Sequence, residues 1–265
     1  ATATPAAADE IGSLAVDPGD GSLMIGSSVG TFRLPSGATK PEELKPEMSA
    51  EGKQGPLNDL VVRFTGPGAV IASGHSRGGT LPQNAGLMRS PDGGKTWESI
   101  SGLGEIDYHD IEVISEQHIV ALRVDQPDVQ VSTDGGKTFE GRAAPAVAQA
   151  VDVTINPNDA TQWAVGTEQG TFLSTNEGGS WRQRDTTFGA RVSWAPDGLY
   201  SAGLDGQIRK STDGGKSWEE LGSIGAGPKD FVAAGDGTLY AYVPGGKIRA
   251  STDGGQTWTD LVSLF

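Results

Sequence analysis

The sequence predicts an all-β protein folded as a single β-propeller of six four-stranded blades. A phrase of eight residues recurs five times, its copies begin 42, 42, 37 and 40 residues apart, and strand-like sequence separates them. A repeat of about forty residues with this content is typical of one propeller blade. The chain also has 40 glycines and 15 prolines and no long segment with helical periodicity, which favours strands and turns. Seven blades are the alternative.

The repeated phrase occupies residues 90–97, 132–139, 174–181, 211–218 and 251–258. Its serine and aspartate can bond nearby backbone N–H groups, its paired glycines tolerate positive φ, and its final aromatic residue buries a large ring. The copy at 174–181 has asparagine in place of aspartate and an inserted Glu177. We therefore predict a structural hairpin turn in each copy, carried by Asp92, Trp97, Asp134, Phe139, Asn176, Trp181, Asp213, Trp218, Asp253 and Trp258.

This phrase resembles the Asp box, or BNR repeat, of sialidases and related secreted propellers. The chain also resembles small exported bacterial propellers described as glycosyl-hydrolase-like or BNR-repeat proteins, through residues 14–18, 73–75 and 104–109. The resemblance implies a sialidase-like propeller whose Asp boxes are structural and lie away from the active site. Residues 32–35 are similar to the Phe-Arg-Ile-Pro motif of sialidases, but the blade alignment puts them on a third strand. With no convincing Arg triad or Tyr/Glu pair on the inner strands, typical sialidase activity is not expected.

Composition limits the partners. The formal net charge is −14. A nucleic-acid-binding protein needs a basic surface, so nucleic acid is not an expected partner. The chain has no cysteine and no apolar run of the ~20 residues needed to span a bilayer. Residues 1–10 are rich in Ala, Thr and Pro, which favours a disordered stub left by signal cleavage or a tether below a lipid anchor. We expect an extracytoplasmic monomer with the propeller at 11–265.

Aligning the sequence before each phrase yields six units, because residues 30–33 match 170–173 and add a first unit without the phrase. The alignment places the first residue of every inner strand at Ser13, Asp59, Asp110, Asp152, Arg191 and Asp230. Inner strands line the channel of a propeller, so we expect carboxylates to crowd one channel mouth. Such carboxylates repel one another unless a cation, an arginine or a polar ligand compensates them. A structural alternative stays open, in which each carboxylate bonds backbone N–H groups.

The long loop at 74–86 should overhang the same mouth and add polar groups to it. The candidate ligand-binding residues are Asn58, Asp59, His75, Arg77, Tyr108, His109, Asp110, Asp152, Arg191, Lys229 and Asp230. In this hypothesis the carboxylates accept hydrogen bonds from hydroxyl groups, the basic residues pair with an anionic group, and Tyr108 stacks on a sugar ring. No cofactor is evident. A divalent cation at the mouth is a further hypothesis, with His75, His109 and Asp110 as candidate ligands.

The leading hypothesis is a propeller that binds a polar ligand, either a glycan or a protein segment, at this mouth. The second is a glycoside hydrolase in which Asp110 and Asp152 form the catalytic pair, since inverting enzymes need two carboxyl groups about 6.5–9.5 Å apart. The third is a non-catalytic assembly scaffold with its partner interface elsewhere. Of these functions, the sequence favours a binding protein over an enzyme.

Overall fold

In the computed structural model, which describes residues 12–123, 125–145 and 150–264, the chain forms six small sheets around a central channel. The described residues form 25 strands. They form no helix, and therefore no helix able to cross a membrane. The predicted six-bladed propeller is confirmed, and the seven-bladed alternative is wrong. The proposed stub at residues 1–10 lies outside the described residues.

Five blades are four-stranded sheets in which each strand pairs with the next one along the chain. Blade 1 contains β1 (Gly12–Val16), β2 (Leu23–Ser27), β3 (Gly30–Leu34) and β4 (Glu42–Leu44). Blade 3 contains β10 (Tyr108–Val113), β11 (Ile119–Arg123), β12 (Val129–Ser132) and β13 (Glu140–Arg142). Blade 4 contains β14 (Ala150–Ile155), β15 (Trp163–Thr167), β16 (Gly170–Ser174) and β17 (Arg182–Asp185).

The last two blades have the same order of strands. Blade 5 contains β18 (Arg191–Ala195), β19 (Gly198–Ala202), β20 (Gln207–Ser211) and β21 (Glu219–Ser223). Blade 6 contains β22 (Asp230–Ala233), β23 (Leu239–Val243), β24 (Lys247–Ser251) and β25 (Thr259–Ser263). All strands of each blade are consecutive, so no strand is exchanged between the described parts of blades 1 and 6.

Blade 2 has a fifth strand that the sequence analysis did not predict. It contains β5 (Glu47–Ala50), β6 (Lys53–Gly66), β7 (Ala69–Ser76), β8 (Asn84–Ser90) and β9 (Thr96–Ser101). The first part of β6 pairs with β5, and the rest pairs with β7. Strand β5 also pairs in parallel with the outer strand β9. The 14-residue β6 is therefore an ordinary inner strand with an additional hairpin at its beginning.

The hydrophobic core lies between neighbouring blades. Strands β2 and β15 are buried along their whole length, as expected for second strands covered on both faces. The aromatic anchors complete these layers. Trp97 of blade 2 packs in one cluster with Met24 of blade 1, and Trp258 of blade 6 packs with Tyr200 of blade 5. Burial of apolar area between blades is the main favourable contribution to this fold.

The five repeated turns share one hydrogen-bonding pattern. In each, the serine Oγ accepts a bond from the N–H four residues later, at Gly94, Gly136, Gly178, Gly215 and Gly255, over 2.7–2.9 Å. The next polar residue accepts from the start of the outer strand, as Asp92 does from the N–H of Thr96 at 2.9 Å. Gly94 adopts φ +87°, a conformation that glycine reaches without the strain that an L side chain would bring.

Alternation of strand direction gives the propeller two distinct ends. The "entry face" is the end at which each inner strand begins, and it carries the loops between second and third strands. The "turn face" is the end at which each inner strand finishes, and it carries the five repeated turns. The channel runs between these faces.

The ring closes through packing of blade 6 on blade 1 and through one buried side chain. Asp230 Oδ2 accepts a hydrogen bond from the backbone N–H of Leu14 at 2.7 Å, and Asp230 Oδ1 accepts from Phe231 at 2.7 Å. Leu14 and Asp230 are 216 residues apart. This bond therefore joins the first and last blades.

Replacing Asp230 by alanine should destabilise the closed ring. The change leaves the buried Leu14 N–H without an acceptor, which costs about 1–3 kcal/mol. Asp230→Asn keeps one acceptor oxygen and should lose less. Urea unfolding of both variants checks this, with Glu116→Ala as the control at an exposed carboxylate. Equal stability of Asp230→Ala and the wild type would contradict the role of this bond in closure.

Candidate functional site: the central channel and its two mouths

The carboxylates predicted to crowd the mouth are mostly inside the protein. Asp110, Asp152 and Asp230 are no more than 7% exposed. Each accepts a hydrogen bond from the inner strand of the next blade, at the N–H of Val153 (2.6 Å), Val192 (2.8 Å) and Leu14 (2.7 Å). The prediction that these three groups line an exposed mouth is wrong. They join blades instead, which is the structural alternative that the sequence left open.

One arginine compensates the buried negative charge. Arg63 projects into the channel from β6, donates to Asp110 Oδ1 at 2.8 Å, and lies 3.9 Å from Asp230 Oδ2 and 3.7 Å from Glu112 Oε1. Burial opposes its charge, but the carboxylates around it raise the pKa of Arg63 above its usual value. Sequence reasoning missed Arg63. The sequence does mark this residue, because it is the charged residue in the otherwise apolar run 60–64.

The compensation is incomplete, so several channel carboxyl groups favour the protonated form. Burial, followed by the charge of the neighbouring Asp110, raises the pKa of Asp152 well above its ordinary value. Burial likewise raises the pKa of Asp230, against the opposing effect of Arg63. Burial raises the pKa of Glu112 to about 7, with Arg63 acting in the opposite direction. Protonation of these groups lowers the negative charge that the channel holds near neutral pH.

Asp59 does not occupy the level that the blade alignment assigned to it. The N–H of Val62 donates to Ser13 Oγ of the preceding blade at 3.0 Å. In the same way, the N–H groups of Val153 and Val192 donate to an aspartate of the blade before them. Val61 is thus the residue equivalent to Asp110, and the predicted register of β6 is wrong by two residues. A bulge between Asn58 and Val61 causes the shift, with Asp59 in the left-handed region at φ 52°.

This shift moves Asp59 into a polar cluster on the entry face, which we call the His-Asp cluster and define as Asp59, His75, Asp107 and His109. The carboxylate of Asp107 lies between two imidazoles, 3.3 Å from His75 Nε2 and 3.0 Å from His109 Nε2. Asp59 Oδ2 lies 3.9 Å from His75 Nδ1 and accepts a bond from Asn58 Nδ2 at 2.9 Å. Burial opposes ionisation, but the histidines lower the pKa of Asp107.

The structure separates the other predicted ligand-binding residues. Tyr108 is 1% exposed and packs against Phe139, so its ring is not available to stack on a sugar, and that prediction is wrong. Arg77 is exposed and donates to the carbonyl of Ser28 at 3.1 Å, which places the loop after β7 over blade 1. Arg191 donates to the carbonyl of Val151 at 2.6 Å inside the channel. Lys229 is half-buried at the start of blade 6.

The candidate metal ligands do not form one site. Both Oδ atoms of Asp110 already accept bonds, from Arg63, Ile111 and Val153. Within the part of the chain that the structure describes, no group of three or more His, Asp or Glu side chains is arranged to hold a metal ion. The sialidase-like Arg33 lies on β3, outside the channel, and forms a 2.6 Å ion pair with Asp20.

The channel widens towards the turn face into a cavity of about 760 Å³. We call it the channel cavity. Its walls come from all six inner strands and the turns that follow them, and most of the lining residues are apolar, including Phe64 and Trp194. Arg63 and Glu112 are its charged groups within the channel. The sequence predicted a site only at the opposite end of the channel.

The entry face carries the large hydrophobic side chains that the described residues leave most exposed. Phe188 lies between β17 and β18, Leu204 between β19 and β20, and Val29 between β2 and β3. Phe188 is 63% and Leu204 54% exposed. The carbonyl of Phe188 accepts a bond from the Leu204 N–H at 3.2 Å, so the two residues are neighbours. Hereafter they are called the Phe188–Leu204 patch.

Solved propellers share this fold at low sequence identity. YCF48 from Cyanidioschyzon merolae is 15% identical with a TM-score of 0.54, over 96% of this chain and 86% of that one. YCF48 bound to D1 peptide is 16% identical with a TM-score of 0.50, over 98% and 85%. An ancestral GH74 enzyme is 14% identical with a TM-score of 0.60, over 97% and 39%. No protein-family model and no curated protein matches the chain. The fold thus occurs in an enzyme and in a peptide-bound protein.

Glu112 should make stability fall as pH rises. Its pKa is about 7 in the folded protein and 4.5 ordinarily, so between these values the folded state binds more protons than the unfolded chain, and stability is lost with rising pH. Glu112→Gln should remove this part of the dependence and gain about 1–3 kcal/mol at pH ~8. Urea unfolding across this pH range checks it, with Glu116→Gln as control. An unchanged pH dependence in Glu112→Gln would contradict the assignment.

Proposed function

We propose that this protein is an extracytoplasmic Asp-box propeller that binds a segment of another protein on its entry face. The observation that carries the proposal is the Phe188–Leu204 patch. Large side chains exposed together on one face of a protein mark an interaction surface, and aromatic or aliphatic anchors supply much of the binding energy in protein interfaces. Both anchors lie on loops held by rigid blades, as recognition residues commonly do.

The His-Asp cluster supports the same face as the binding surface. It adds two imidazoles and two carboxylates that can bond the backbone or polar side chains of a bound segment. His109 is exposed at the mouth. An apolar patch and a polar cluster on the same face suit a peptide better than a sugar alone, because a peptide offers both apolar side chains and regularly spaced N–H and C=O groups.

The structural comparisons are compatible with this function without assigning it. One similar fold, YCF48, has been solved bound to a D1 peptide. A scaffold of this kind can thus accommodate a peptide, and in this chain the exposed side chains of the entry face support the same role. The resemblance to exported propellers supports an extracytoplasmic location.

Glycoside hydrolysis is the second candidate, favoured by the fold shared with a GH74 enzyme. The predicted pair Asp110 and Asp152 is a poor choice for it, since both groups are buried and hold backbone N–H groups. Asp59 and Asp107 are the carboxylates that solvent reaches on either side of His75. A hydrolase on this scaffold would use them, with His75 between them.

The double variant Phe188→Ser/Leu204→Ser should lose peptide binding. Peptides are first selected on the wild type from a library of random extended sequences. They should bind this variant about 30-fold or more weakly, because each anchor that becomes buried in the complex contributes about 2 kcal/mol. Fluorescence anisotropy with labelled peptides measures the effect. Lys216→Ser, on the turn face of the same blade, is the control and should bind normally.

Two results would contradict the proposal. One is selected peptides that bind the double variant as well as the wild type. The other is turnover on a panel of glycosides that disappears in Asp107→Asn but survives in the double variant, which would establish the hydrolase instead.

A further inference from the structure

The channel cavity on the turn face holds a charge arrangement that the proposed protein-binding function does not use. It opens at the opposite end of the channel from the entry face and its volume of about 760 Å³ lies within the range of small-molecule sites. Apolar side chains form most of its wall, with Trp194 and Phe64 among them. A few polar groups placed in an apolar cavity are the usual composition of a binding site.

Most polar groups in the wall are already engaged. Arg63 donates to Asp110 and to the carbonyl of Val62 at 2.9 Å. Thr154 Oγ1 accepts from the N–H of Trp194 at 3.0 Å, and Ser193 Oγ accepts from Ala233 at 2.9 Å. These groups therefore have little hydrogen-bonding capacity to offer a ligand.

Glu112 accepts a hydrogen bond from the backbone N–H of Val113, and as a carboxylate it has further acceptor sites. Its side chain is 24% exposed, and its carboxylate lies 3.7 Å from Arg63 Nε, which is longer than a hydrogen bond. A carboxylate has acceptor sites for about four donors. Glu112 is thus a charged group inside the channel that retains the capacity to receive a donor from a ligand.

The charges that face Glu112 favour a cation over an anion. Deeper in the channel, Asp110 pairs with Arg63. Asp152 and Asp230, which lie near Arg191, favour their protonated, neutral forms. Glu112 and the carboxylates at the rim therefore set the sign of the charge in the cavity. At the rim, Asp236 adds another carboxylate, while Asp17 is paired with Arg33. An entering cation would relieve the repulsion among the carboxylates, whereas an anion would add to it.

We propose that the channel cavity binds an organic cation, a primary amine or guanidinium carried on an apolar stem, with Glu112 as its counter-ion. The stem packs against the apolar wall, and Trp194 offers an aromatic face to the cation or to the stem. The same chemistry is present in a free alkylamine and in a lysine or arginine side chain of a peptide. Which of the two sources the cavity accepts depends on whether a chain can approach its rim.

The ionisation of Glu112 links this binding to pH. Burial raises the pKa of Glu112 to about 7. At slightly acid pH the carboxyl group is therefore largely protonated, and it must lose this proton before it can pair with a cation. Affinity for an amine should therefore increase between about pH 6 and pH 8 and then level off. Asp152 and Asp230 titrate in the same channel and have raised pKa values of their own, so the Glu112 contribution is isolated by substitution.

The test is calorimetric titration of the whole protein with n-hexylamine, matched by n-hexanol and hexanoate, which share the stem and lack the positive charge. A second arm uses acetyl-Ala-Lys-Ala-amide against acetyl-Ala-Gln-Ala-amide. We expect hexylamine to bind, hexanol to bind at least about tenfold more weakly, and hexanoate not to bind, because a charge-assisted bond is worth about 1.5–3 kcal/mol. Binding of the lysine peptide would add a peptide source, and binding of hexylamine alone would restrict the site to free amines.

Glu112→Gln should reduce hexylamine affinity at least about tenfold and abolish its increase with pH. This variant keeps the size of the side chain and should fold, since it mimics the protonated carboxyl. Glu116→Gln, in the exposed turn that follows the same strand, should bind as the wild type does. The proposal is overturned if hexylamine and hexanoate bind equally, if no amine binds the wild type, or if Glu112→Gln binds as well as the wild type. None of these results bears on the Phe188–Leu204 patch.

Discussion

The bond between an inner-strand side chain and the backbone of the next blade is the interaction on which the rest of this structure depends. Packing alone would leave the buried N–H groups at the blade junctions without acceptors. Asp110, Asp152 and Asp230 supply acceptors at three junctions, and Ser13 supplies one at a fourth. An unsatisfied buried N–H costs free energy comparable to a lost hydrogen bond, so an acceptor at these positions stabilises the ring.

The same solution brings several negative charges into a narrow channel. Buried carboxylates are tolerated only when they are paired, hydrogen-bonded or protonated, and all three conditions occur here. Arg63 pairs with Asp110, the backbone N–H groups bond each aspartate, and the raised pKa values of Asp152, Asp230 and Glu112 favour bound protons. The electrostatic character of the channel is therefore a consequence of how the blades are joined. That character in turn underlies the cation site that we propose at Glu112.

The two ends of the channel have different chemistry because different loops form them. The entry face receives the connections between blades and the loops between second and third strands, which carry Phe188 and Leu204, and the His-Asp cluster lies on the same face. The turn face receives the five repeated turns, which are nearly uniform and hydrogen-bonded internally. Variable loops on a rigid scaffold commonly carry recognition, which is why we assign the protein partner to the entry face.

Local sequence was sufficient for the blade count and the repeated turns, because a turn needs only the residues within it and a period near forty residues reports one blade. It was not sufficient for the channel. The bulge at Asn58–Val61 shifts β6 by two residues, which hides Arg63 from an alignment and moves Asp59 to the entry face. Recurring aspartates looked like a ligand site, yet the N–H groups that bind them come from the neighbouring blade. Which carboxylates are buried and which reach solvent depends on contacts between distant residues, such as Asp230 and Leu14, and these exist only once the ring is closed.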